Sequence, residues 1–138
     1  MSRVYNPDSA GKERNQLTRS IVLALRELMK QQGTDDVTRD LAAYLALALD
    51  EVNGTIEASV TAWEKRGYWV KADKFRLEWE WTSGYSRTLS EALKKEDWAT
   101  VALTSAKVAQ KLNKITVPER NRLGTPWVGS WKKLMNPQ

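Results

Sequence analysis

The chain contains no cysteine and no histidine. Without cysteine there is no disulfide, no thiolate metal site and no thiol nucleophile. Without histidine the commonest zinc ligand and the commonest general base are missing, and with them every Ser-His or Cys-His catalytic arrangement. Long apolar runs are missing as well. The longest stretches free of charge are Leu41–Leu49, Trp98–Ala106 and Leu123–Trp131, nine residues each. A membrane-spanning helix requires ~20. The opening residues, MSRVYNPDSAGKER, hold no apolar segment of signal-peptide type. The expectation is a cytoplasmic protein with no membrane partner.

What remains for catalysis is carboxylate, lysine, serine and tyrosine. Glu-x-x-Glu pairs, which would set two metal ligands on one helix face, do not occur. Asp36 and Asp40, or Asp73 and Glu78, read as cap and surface charges, and the neighbours Asp50 and Glu51 point apart. Glu78 and Glu80 would stand about 200° apart on a straight helix and could not share a proton or a metal. Gly-rich phosphate loops are absent, because Ala10-Gly11-Lys12 lacks the preceding strand and the glycine spacing. Ser9-x-x-Lys12 resembles a serine–lysine catalytic spacing only in its interval, and it lies at a polar helix start. The expectation is a non-enzyme with no cofactor and no metal, a carboxylate-dependent metal enzyme being the remote alternative.

The 138 residues are 41% hydrophobic and 28% charged, enough for one soluble domain with its own core. No strand-like alternation of useful length appears, and helical spacing recurs throughout. A first helix is expected over about Ser9 to Gln31, on Leu17, Ile21, Ala24, Leu25 and Leu28, ending at a left-handed Gly33. Thr34-Asp35-Asp36 supplies capping oxygens for a second helix, about Val37 to Arg66. Its stripe runs Leu41, Tyr44, Leu45, Ala48, Val52, Ile56, Ser59, Trp63 and keeps phase through Asn53-Gly54, so the helix is read as continuous there despite the turn chemistry of that pair. Gly67 ends it. A third helix follows from about Trp69 to Lys95, and a fourth, capped by Asp97, from Trp98 to about Leu112. This predicts an all-α fold: a single domain over residues 1–138, with an antiparallel four-helix bundle over 9–112 and a long central hairpin. After Leu112, Pro118, Gly124, Pro126, Gly129 and Pro137 exclude a long helix, so residues 113–138 are expected as an extended tail. That tail carries Trp127 and Trp131, too apolar to stay in water, and is expected to pack on the bundle.

Charge and aromatics point to partners. Residues 1–33 carry a net +3, residues 34–103 a net −4, and residues 104–138 a net +6 with Glu119 as their one acid. Lys107, Lys111 and Lys114 recur at helical spacing, and Arg120, Arg122, Lys132 and Lys133 continue the positive charge into the tail. Such cations can neutralise phosphates without reading sequence. They fit equally the solvated outer face of an amphipathic helix. Seven tryptophans stand against one phenylalanine. On a straight third helix Trp79 and Trp81 point in nearly opposite directions, leaving a second apolar stripe at Leu77, Trp81 and Tyr85. Its cover is expected to be the tail, through Trp127 and Trp131, or a second copy of the chain, or another protein or nucleic acid. Basic residues beside Trp63, Trp69 and Trp131 fit cation–π pairing within the fold as well as base stacking.

In size, basicity and helical make-up, with no matched motif, the chain is similar to small helical subunits of nucleoprotein machines, such as those of CRISPR effector complexes and the accessory proteins of diversity-generating retroelements. That likeness implies a non-catalytic subunit touching nucleic-acid backbone and neighbouring proteins. The alternative is a protein-interaction or homo-oligomeric module using Leu77, Trp81 and Tyr85.

Overall fold

A computed structural model describes residues 5–137. Its regular structure is entirely helical: α1 (Ala10–Met29), α2 (Asp36–Lys65), α3 (Trp69–Trp79), α4 (Trp81–Lys94), α5 (Trp98–Lys111) and α6 (Ser130–Met135). α2 is the axis of the molecule. It packs against α1, α3, α4 and α6, while α5 packs on α4 and more lightly on α1. Leu41, Leu45, Leu49, Val52, Ile56 and Val60 are buried along its length, facing Ile21 and Ala24 of α1 and Leu89 and Leu93 of α4 in one core. A buried hydroxyl fixes the α2–α4 register: Ser86 Oγ donates to the Ala46 carbonyl at 2.7 Å.

α1 follows the predicted stripe, with Ile21, Ala24 and Leu25 buried and Leu17 and Leu28 half-buried. It stops earlier than expected. Lys30 N–H closes it by donating to the Glu27 carbonyl and Gln31 N–H to the Leu28 carbonyl, and Gly33 does not take the left-handed conformation. α2 runs unbroken through Asn53-Gly54 for 30 residues, a length of ~45 Å. The glycine has a packing reason, since a Cβ at position 54 would collide with the ring of Tyr5. Gly67, at φ +82°, then turns the chain, with Gly67 N–H donating to Glu64 and Tyr68 N–H to Trp63. This is the left-handed helix stop that only glycine adopts freely.

The single long third helix is not formed. It breaks at Glu80 into α3 and α4. Thr82 Oγ1 donates to the Trp79 carbonyl at 2.8 Å and Ser83 Oγ to the Glu80 carbonyl. Hydroxyls bonding backward in this way compete with the helix ladder and bend it. Across this break Trp79 and Trp81 meet, their rings stacked with centroids 6.1 Å apart. The two indoles meet rather than diverge, so the two opposed stripes expected of a straight helix merge into one aromatic row.

Asp35 and Asp97 cap α2 and α5 as predicted. Asp35 Oδ1 accepts from Thr38 N–H at 3.0 Å. Asp97 accepts from the Thr100 hydroxyl at 2.6 Å and from its N–H at 3.2 Å. The Thr38 N–H for Asp35, and first the hydroxyl of Thr100 for Asp97, hold both carboxyls below the usual carboxylate range, because these bonds favour the charged form. A carboxyl depressed in the folded state contributes its stability fully above its unfolded value, ~3.9, and loses it as pH falls through the folded one. The melting temperature is therefore expected to drop below about pH 4. In an Asp35→Asn, Asp97→Asn double variant, whose amides still accept the cap bonds, the drop should be shallower. Circular dichroism melts across that range check this, and identical slopes for the two proteins contradict it.

Candidate nucleic-acid interface

The basic last third is held to the body at three places. Near its start, Val117 is buried and its carbonyl accepts from Arg26 Nη1 of α1 at 2.7 Å. Further on, Trp127 enters the common core with 8% of its surface left exposed. Then Asp40, on α2, receives the start of α6: its Oδ2 accepts from Gly129 N–H at 3.0 Å and its Oδ1 from Trp131 N–H at 2.8 Å. One carboxylate thus satisfies two N–H groups that a helix start leaves open, and its charge suits that positive end. Gly129, at φ +85°, supplies the turn.

Around this lock sits a second layer. Trp131 stacks on Trp98 with ring planes 16° apart. Arg39 lies over the Trp131 ring, 5.0 Å from its centroid, and its Nη2 donates to Glu96 Oε1 at 2.6 Å. Glu96 occupies the α4–α5 turn at φ 51°, a conformation glycine would hold more easily. Its carboxylate is what positions Arg39 on the indole. The tail is therefore docked, as the sequence suggested, but it is not simply extended, because Ser130–Met135 form α6.

The seven predicted cations stand on this docked frame. Lys107 and Lys111 are exposed on α5 and Lys114 just beyond it. Arg120 and Arg122 are exposed in the segment after the Arg26 clamp, and Lys132 and Lys133 are exposed on α6. Among the described residues none of the seven has a carboxylate within 4.0 Å. They fall into three groups rather than one row. α6 packs on α2, and Trp131 reaches α5 at its first residue, ~14 Å along the axis from Lys107.

The residues expected as an interface separate in the same way. Trp81 and Tyr85 are half-buried and touch each other at 5.9 Å between centroids, at one end of a chain of ring contacts running from Trp63 through Phe75, Trp79 and Trp81. Leu77 is 66% exposed. The tail does not lie over this stripe, because Asp40 and Trp98 draw Trp131 to the starts of α2 and α5. Arg14 packs over Phe75 and donates to Thr55 and Ser59. Burial pulls its guanidinium below the ordinary arginine value, with Glu78 opposing.

No family model, curated protein or solved structure matches this chain. Its chemistry is therefore read from its own surface. Among the described residues no group of three or more acidic side chains is placed to hold a metal ion, and no helix is long and apolar enough to cross a membrane. The sequence marked the basic residues beside Trp63 and Trp69 but did not place these rings at the surface. At the corner between α2 and α3, Tyr68, Trp69 and Val70 stand in solvent above a groove of about 780 Å³. The signal was present as the aromatic and basic run Trp63-Glu64-Lys65-Arg66-Gly67-Tyr68-Trp69, but periodicity assigns no face to residues on either side of a turn.

Proposed function

We propose that this protein is a non-catalytic helical subunit that binds nucleic-acid backbone through its basic C-terminal third. The body is read as an antiparallel four-helix bundle of α1, α2, α4 and α5, each packed against the next and α5 returning to α1. The observation that carries the proposal is the set of seven exposed cations, free of carboxylate partners among the described residues, on a segment fastened by Arg26, Trp127 and Asp40. A flexible tail must be ordered when it binds, whereas cations on a docked frame begin closer to their final places, so less entropy is lost.

Binding of this kind releases counterions in proportion to the phosphates contacted. With about seven contacts, affinity for a labelled oligonucleotide should fall by about 10³–10⁵-fold between ~50 and ~200 mM salt. Fluorescence anisotropy across a salt series tests this. A flat salt response, or no binding to DNA or RNA at low salt, overturns it.

A further inference from the structure

The corner between α2 and α3 carries large rings in water. Trp69 is 60% exposed, Tyr68 56% and Val70 70%. Beneath them two half-buried rings form a floor, with Trp63 and Phe75 packed edge to face at 4.9 Å. Gly67, at positive φ, and the Tyr68 N–H to Trp63 carbonyl bond at 2.9 Å close the turn.

Charge is sorted around these rings. Arg76 draws the nearby carboxylates to itself, with Glu57 at 3.5 Å, Glu64 at 3.9 Å and Asp73 at 3.8 Å. Lys65, Arg66, Lys71 and Lys74 are exposed and, among the described residues, have no carboxylate within 4.0 Å. Lys71 lies over the Trp63 ring at 4.7 Å. The result is a concave aromatic surface with Lys71 and Lys74 in its wall and Glu78 its one acid there, and Lys65 and Arg66 lie at the end of α2 just before Gly67. A fitting occupant brings planar rings and regularly spaced negative charge together. A duplex hides its ring faces in the stack, whereas a single strand exposes them and stacks on protein aromatics beside a basic groove.

We propose that this corner is a stacking platform for the unpaired bases of a single-stranded nucleic acid, with Tyr68 and Trp69 taking the rings and Lys71 and Lys74 the phosphates. The proposal deepens the backbone-binding reading above and rests on it, adding preference for single strands and a second contact region outside the C-terminal third.

The test compares single-stranded and duplex oligonucleotides of equal length by anisotropy, using the full chain, Trp69→Ala and Trp69→Phe. The unaltered protein should bind the single strand more tightly. Trp69→Ala should weaken single-strand binding by about tenfold while leaving duplex binding unchanged, and Trp69→Phe, which keeps a ring, should retain most of the affinity. Because the side chain is exposed, the melting temperature of both variants should match that of the parent, which separates lost stacking from lost folding. Equal affinity for strand and duplex, an equal loss on both in Trp69→Ala, or no loss on either overturns the platform. So does Trp69-dependent binding to phosphatidylserine vesicles with single-strand affinity unaffected, which would make the corner a membrane-surface contact. Salt-sensitive duplex binding that persists in those cases leaves the C-terminal reading standing. Failure of both oligonucleotides to bind at low salt overturns both.

Discussion

Replacing Trp127 with alanine is expected to lower the unfolding free energy by about 3–5 kcal/mol, the usual cost of emptying a large aromatic site in a core. Trp127 is 8% exposed and lies within the same cluster as Leu41, Leu45 and Leu93. The loss matters because a domain of this kind has about 5–15 kcal/mol in total. It should also be local in its first effect. With the indole gone, the two Asp40 bonds and the Trp98–Trp131 stack must hold α6 alone. Trypsin should then cut faster at Lys114, Arg120 and Arg122, between the body and α6. Val128→Ala is the control: Val128 is 72% exposed, and its removal should change stability by no more than about 0.5 kcal/mol. Urea denaturation and timed proteolysis read both effects. A Trp127→Ala variant as stable as Val128→Ala, with unchanged cleavage, would mean that the tail is not pinned by this residue.

Much of the helical body was legible because its cause is local. From Leu41 to Trp63 the apolar residues of α2 keep a 3.6 period, and that period outweighed the turn chemistry of Asn53-Gly54. Why glycine is tolerated there was not legible, since the reason is the ring of Tyr5, almost fifty positions earlier. The caps at Asp35 and Asp97 were visible because a capping side chain reaches only three residues ahead. The break at Glu80 had a local signal in Thr82-Ser83-Gly84, three weak helix formers. The apolar pattern on both sides obscured it. α6 had almost none. Six residues are too few to show a period, and its start is satisfied by Asp40, 89 positions from Gly129. The left-handed stop expected at Gly33 failed because Lys30 had already ended α1 in helical geometry.

The candidate site divides along the same line. The composition of residues 104–138, seven cations and one acid, is a property of the sequence and needs no fold. Its docking was inferable from Trp127 and Trp131. Its anchors, Arg26, Arg39 and Asp40, are not, because each acts across the chain from a position that reads as ordinary surface charge. Nor was the corner around Trp69 legible as a surface: a helical wheel ends at Gly67, and which rings stay outside depends on how α3 leaves α2.

The second large effect is on binding. Neutralising Lys107, Lys111 and Lys114 together, each to glutamine, removes three cations that are exposed and have no carboxylate within 4.0 Å among the described residues. Folding should be almost unchanged, within about 0.5 kcal/mol per site. Each phosphate contact contributes about 0.9 to the slope of log affinity against log salt. Three lost contacts should lower that slope by about 2.7 and, near 0.1 M salt, cost about 100-fold or more in affinity. A control with Lys12→Gln and Arg19→Gln, exposed cations of α1, should bind like the parent.

The affinity and salt slope of this triple variant, measured beside the α1 control on one oligonucleotide, bear most directly on whether the C-terminal third is the nucleic-acid surface. The expected result is a loss of about 100-fold with a shallower slope for the triple variant and neither change for the control. Equal affinities and equal slopes for the two variants would contradict it.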